Sequence, residues 1–129
     1  MIVVDTNVVA YLLLPGPQTA AAEALLEGHP IWAAPPLWRS EWRTVLCGSL
    51  RRGSLTLEQV IALQFQPETL VIGHEEPVQS EAVLQLAASS GCSAYDCEFV
   101  AAAQQLDAPL VTADRDLLKA FPALTRSLL

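Results

Sequence analysis

Short β-branched and aromatic runs alternate with stretches of helical periodicity along this chain, and that alternation leaves few architectures open. Ile2-Val3-Val4 reads as a buried strand ending at Asp5, and Ile31-Trp32-Ala33 as a second, broken by Pro35-Pro36. Thr69 to Ile72 and Pro109-Leu110-Val111 complete the predicted strands. Between them lie helical segments over Asn7–Leu14, stopped by Pro15-Gly16-Pro17, and over Gln18–Glu27, stopped by Gly28. A longer helix runs from Pro36 to about Arg52, with Gly53 as its stop. Leu57, Val60, Ile61 and Phe65 recur at the spacing of an amphipathic helix over 56–66. Further helices are predicted from Glu75 to Ala88, Ser93 to Leu106 and Asp114 to Ala120, while the tail carries no clear pattern. Strands that alternate with helices need crossover connections, so a mostly parallel sheet covered on both faces is expected, a three-layer α/β/α arrangement. At 129 residues, without repeat or linker, the chain fits a single domain over 1–129.

Composition narrows the class. Apolar residues make up 52% and charged residues 16%, enough to bury a core and to exclude intrinsic disorder. No apolar run approaches the roughly 18 residues that span a bilayer. An acid at position 5 and the lack of a basic opening argue against a signal peptide. Cys47, Cys92 and Cys97 form an odd set without metal-ligand spacing, read as reduced thiols of a cytoplasmic protein and as small buried hydrophobes.

In a parallel sheet, ligands bind beyond the carboxyl ends of the strands. Asp5 follows the first strand and Asp114 the last. Glu41 lies in the second turn of the helix after Pro35-Pro36, and Asp96 in the first turn of the helix 93–106. Helical Cβ atoms tilt toward the helix N-terminus, so both lean back to that edge. The helix 93–106 carries the chain about 20 Å away at about 1.5 Å per residue, and the next strand returns it, so Asp114 lands near Asp96. Each acid also has a structural reading. Asp5 and Asp114 can cap the helices that follow, Ser93 to Asp96 fits a capping box, and Glu41 can pair with an arginine. Four acids at one edge with few basic residues beside them would repel one another unless neutralised, and a hard divalent cation with oxygen ligands does this.

The formal net charge of −7 disfavours a polyanionic partner. Four of the seven basic residues, Arg39, Arg43, Arg51 and Arg52, nevertheless cluster in one segment. They project away from Glu41 and read as a solvated or partner-binding face. Trp38 and Trp42 are one helical turn apart, the spacing of core or dimer packing rather than of base stacking.

These residues carry a resemblance to a known family. Ile2-Val3-Val4-Asp5-Thr6-Asn7 resembles the opening of PIN-domain proteins. Ser40-Glu41 after the proline pair, Tyr95-Asp96 heading an alanine-rich helix, and Leu110-Val111-Thr112-Ala113-Asp114-Arg115-Asp116 are similar to its remaining motifs, in order and over nearly the whole chain. The size is that of the VapC-like toxins of type II toxin–antitoxin systems. What the resemblance implies is an endoribonuclease dependent on Mg²⁺, or Mn²⁺ in its place, with Asp5, Glu41, Asp96 and Asp114 holding the metal. Thr6, Asn7 and Thr112 would orient carboxylates or contact phosphate, and Asp116 would assist or replace Asp114. A homodimer and a cognate antitoxin are implied as well. The rival within the family is a protein with a vestigial site acting only through partners. Outside it stand a phosphatase, although Asn7 occupies the place of its second aspartate, and a receiver domain, which needs two acids near the first strand.

Overall fold

The structure, a computed structural model, describes residues 1–71 and 74–129. Strand β1 (Ile2–Val4) leads into helices α1 (Thr6–Leu13) and α2 (Thr19–Gly28), then β2 (Trp32–Ala33) and α3 (Trp38–Arg51). Next come α4 (Leu57–Leu63), α5 (Glu68–Val71), α6 (Ser80–Ser90) and α7 (Ala94–Leu106). The chain ends with β3 (Leu110–Thr112), α8 (Arg115–Ala120) and β4 (Thr125–Ser127).

The four strands are all parallel, in the order β2-β1-β3-β4. Val3 lies opposite Leu110 and Val4 opposite Val111, so the chain leaves β1 and β3 side by side at one edge. All three residues of β1 and of β3 are buried, as expected of a sheet covered on both faces. α7 packs on both central strands and α1 on β3; α2 and α3 back α1, and α6 backs α7. α7 buries Cys97, Phe99, Val100, Ala101, Ala102 and Ala103, which covers most of its circumference. Small alanines let it fit between the sheet and α6. Gly91, at φ 75°, ends α6 in a left-handed conformation that glycine adopts without a Cβ clash.

Several expectations need correction. The segment predicted as a strand over 69–72 is the short helix α5 as far as Val71, and Ile72 lies outside the described residues. Its turn is closed by Leu70 N donating to the Pro67 carbonyl and the Thr69 hydroxyl to that of Gln66. The helix placed at Glu75 begins at Ser80; Glu75 instead bridges Ala34 beside β2. β4 was not anticipated. On α4, the apolar spacing is present but only Val60 is buried, and Leu57, Ile61 and Phe65 are exposed. Of the cysteines, Cys97 is buried, Cys92 half-buried and Cys47 exposed.

Arg39 does not belong to an outward-facing cluster. Its Nη1 donates to Glu68 Oε1 and its Nε to Glu75 Oε1, each at 2.6 Å, while the guanidinium stacks 5.1 Å from the Trp38 ring centroid. Glu75 also accepts from Trp38 Nε1 at 2.7 Å. This network ties the segment after α4 onto α3. Arg43, Arg51 and Arg52 remain exposed. Trp32, Trp38 and Trp42 are all buried, so none offers a face to a base.

Candidate active site

Asp5 leaves β1 at the N-cap position of α1, yet its side chain does not cap that helix. Because β1 and β3 are neighbours in register, the Thr112 hydroxyl meets it instead and donates to Asp5 Oδ2 at 2.8 Å. The same hydroxyl accepts the amide of Asp114 at 3.0 Å. Having accepted an N–H, it is directed to give its own proton to Asp5, which fixes the orientation of that carboxylate. Thr112 is fully buried, and replacing it with valine strands the Asp114 amide and frees Asp5. A loss of about 1–3 kcal/mol is expected for Thr112→Val, read as a lower urea midpoint at unchanged slope.

The other acids are held in comparable ways. Glu41, in the first turn of α3, accepts from the buried Thr6 hydroxyl through Oε1 at 2.7 Å. Asp96 stands in the first turn of α7, whose N-terminus is capped by Ser93 accepting the Asp96 amide at 3.1 Å. Asp114 does cap α8, its Oδ1 accepting from the amides of Asp116 at 2.8 Å and Leu117 at 3.3 Å. Its structural role thus occupies one oxygen and leaves Oδ2 for other work.

Asp5, Glu41, Asp96 and Asp114 all line one open cavity of about 440 Å³, together with Thr6 and Asn7. No lysine, arginine or histidine lines it among the described residues. Burial is the main reason that Asp5 holds its proton above the ordinary range, and repulsion from Asp96 and Asp114 adds to it against the hydrogen bonds from Thr112 and the Thr6 amide. Glu41 is raised by burial and by the charges of Asp5, Asp96 and Glu98, against the Thr6 hydroxyl. Asp96 is raised by burial and by Asp114 and Asp116. The acids therefore feel one another across the cavity.

They do not form a ready-made chelate: among the described residues, no three His, Cys, Asp or Glu side chains stand close enough to hold an ion together. The expected convergence extends to a shared cavity, with Asp5, Glu41 and Asp114 each turned onto a hydroxyl or amide donor. Mutual repulsion favours that splaying. The donor set still fits a hard divalent cation: carboxylate oxygens only, without a competing cationic side chain, and with free oxygens remaining on Glu41 and Asp114.

Asp116 is exposed and lines a neighbouring cavity, so Asp114 rather than Asp116 faces the other three acids. Thr6, Asn7 and Thr112 all lie at the site, with Thr112 behind Asp5. Two residues to which the sequence reading gives no role in the site contribute to it. Glu98 adds its charge to Glu41, and Tyr95 lines the acidic cavity while remaining 65% exposed. Position beside Asp96 was the available signal for both.

A family model described as the PIN domain matches residues 2–122. No curated protein matches the chain by sequence. Among solved structures, FitAcB from Neisseria gonorrhoeae is similar with a TM-score of 0.77 at 19% identity, covering 99% of this chain and 98% of that one. FitAB bound to an IR36 DNA fragment is similar at 0.77 and 20% identity, covering 99% and 95%. A toxin–antitoxin complex from Klebsiella pneumoniae is similar at 0.72 and 18% identity, covering 100% and 98%. At these identities the likeness is one of fold.

Proposed function

The chain belongs to the PIN domain family, and on that premise we propose that it is a divalent-cation-dependent endoribonuclease, the toxin of a type II toxin–antitoxin pair. The observation that carries this reading is the cavity at the carboxyl edge of the sheet, in which four carboxylates meet no basic residue among those described. Asp5, Glu41, Asp96 and Asp114 would hold Mg²⁺, or Mn²⁺ in its place. Such an ion supplies Lewis acidity toward phosphoryl oxygens and lowers the pKa of bound water. The protein's own part is positioning. Thr112 fixes Asp5, Thr6 fixes Glu41, and the α8 cap fixes Asp114, so each carboxylate presents a set oxygen to the cavity. Asn7, exposed at the cavity wall, would donate its amide to a phosphate oxygen.

The toxin role and the antitoxin partner are supported by the fold shared with a structure titled a toxin–antitoxin complex. An exposed apolar stripe on and just beyond α4, Leu57, Ile61 and Phe65, supports a protein partner or a second copy of the chain. Among the described residues no helix is long and apolar enough to cross a membrane.

Protein freed of any partner is expected to cleave structured RNA with Mg²⁺ or Mn²⁺ and to stop on chelation. Persistent inactivity after partner removal would favour a vestigial site. Ion binding is also measurable without turnover. An ion that binds only the folded protein raises stability by about 2.7 kcal/mol at a hundredfold excess over Kd, seen as a higher Tm. The pH dependence of the ion-free protein has a definite sign. Asp5, Glu41 and Asp96 have raised proton affinity in the fold, so the folded state binds more protons than the unfolded one above about pH 4. Their contribution is complete in acid and is lost as pH rises through the raised values. Saturating Mg²⁺ should therefore stabilise the protein more at neutral pH than at pH 5. An ion effect that grows toward acid would contradict the assignment.

A further inference from the structure

The acidic cavity cannot attract a polyanion by itself, and the chain's net charge of −7 weakens long-range steering as well. Binding energy for a nucleic-acid strand must then come from contacts that charge does not oppose. Two residues outside the acid set supply them. Tyr95 immediately precedes Asp96, lines the acidic cavity, and leaves its ring 65% exposed. Exposed aromatic rings are common enough singly, but this one stands at the mouth of a pocket. Leu37 and Val45 line the same cavity and give it some apolar wall.

Asp96 lines a second cavity too, of about 490 Å³, between the start of α7 and the face of α8. The two cavities therefore adjoin at one side chain. The second is lined by Asp116 and by the chain's sole lysine, Lys119, which is exposed and makes no ion pair among the described residues, so its ammonium stays available to a phosphate. A strand whose scissile phosphate sits among Asp5, Glu41, Asp96 and Asp114 can continue past Asp96 into this cavity.

We infer that the substrate strand crosses the site at Asp96 with one unpaired base stacked on Tyr95 and an adjacent phosphate held by Lys119. The inference rests on the nuclease reading for which phosphate is cut, and it extends that reading to a substrate that must be single-stranded there. A base in a duplex has no free face to offer the ring, whereas a loop or bulge does. Stacking tolerates any base, so Tyr95 provides affinity without a sequence code, and Lys119 provides the local charge that the acidic cavity lacks.

The two contacts differ in their response to salt, which makes them separable. Binding of a short fluorescein-labelled single-stranded RNA of mixed sequence is followed by anisotropy at stepped KCl, in the Asp5→Asn background so that the strand stays intact. Adding Tyr95→Ala is expected to raise Kd about 5- to 100-fold at every salt concentration with the salt slope unchanged, and Tyr95→Phe to bind as the parent does. Adding Lys119→Gln is expected to lower the slope of log K against log salt by about 0.7, the release of one counterion equivalent from a single strand. Phe65→Ala removes a comparably exposed ring that lines neither cavity and is expected to change neither. Binding insensitive to Tyr95→Ala, a loss equal to that of Phe65→Ala, or a slope untouched by Lys119→Gln overturns the inference. Binding with these responses beside a wild-type protein that does not cut RNA removes the nuclease reading and leaves the strand path standing.

Discussion

Asp5→Asn protein is expected to cut RNA at roughly a thousandth of the wild-type rate or less, and to melt no earlier than wild type when both are free of divalent ions. The first effect follows from charge. Asparagine keeps the shape of the side chain and still accepts the Thr112 hydroxyl, but it contributes no negative charge to an ion. Losing one carboxylate from such a set removes several kcal/mol of transition-state stabilisation, and three orders of magnitude correspond to about 4 kcal/mol. The second effect has the opposite origin. In the ion-free protein Asp5 is disfavoured by burial and by Asp96 and Asp114. Neutralising it relieves both penalties, so stability holds or rises. The pair of results separates a catalytic carboxylate from a structural one, since a structural acid would lose stability and activity together. The Mg²⁺-induced rise in Tm should shrink in the variant as well. RNA cleavage that survives both this substitution and chelation would falsify the proposed site.

That site was legible because its acids are tied to strong local signals. Asp5 and Asp114 end apolar runs that could only be buried strands, and parallel pairing of those runs brings their ends together. Glu41 and Asp96 could be placed by helix geometry alone. The hydrogen bonds that hold them were less visible, because Thr6 and Thr112 stand many positions from Glu41 and Asp5 and meet them only through the packing of α1 on α3 and the register of β1 and β3. Where the reading failed, tertiary contacts outweighed local preference. Thr69-Leu70-Val71 has strand composition, yet Arg39 anchors Glu68 and Glu75 on either side of it and the backbone turns after Pro67. Thr125-Arg126-Ser127 lacks any apolar run and forms β4 because β3 offers an open edge, with only Thr125 buried. On α4 the predicted period is present, and most of the apolar face it marks is exposed. A repeat of Leu57, Ile61 and Phe65 states that one face is apolar, but not that this chain covers it.

Phe99→Ala is expected to cost about 3–5 kcal/mol, the largest loss from any single side chain argued from this fold. Phe99 is 2% exposed and lies one turn after Asp96 on α7, in the same core cluster as Val3, Val4 and Leu110. Truncation leaves a cavity between α7 and the sheet that neighbouring alanines are too small to fill. Against a total stability of about 5–15 kcal/mol, that is a large share, and the urea midpoint should fall at unchanged slope. The loss bears on function because α7 is the platform for Asp96 and Tyr95. A ring packed between helix and strands fixes where the first turn sits, and loosening it should weaken Mg²⁺ binding even in molecules that remain folded. Phe65→Ala is the counterpart: with its ring 59% exposed, its removal should stay within about 0.5 kcal/mol of wild type. Equal losses for the two substitutions would mean that α7 is not seated on the sheet as described, and the convergence of Asp96 with Asp5 would lose its structural basis.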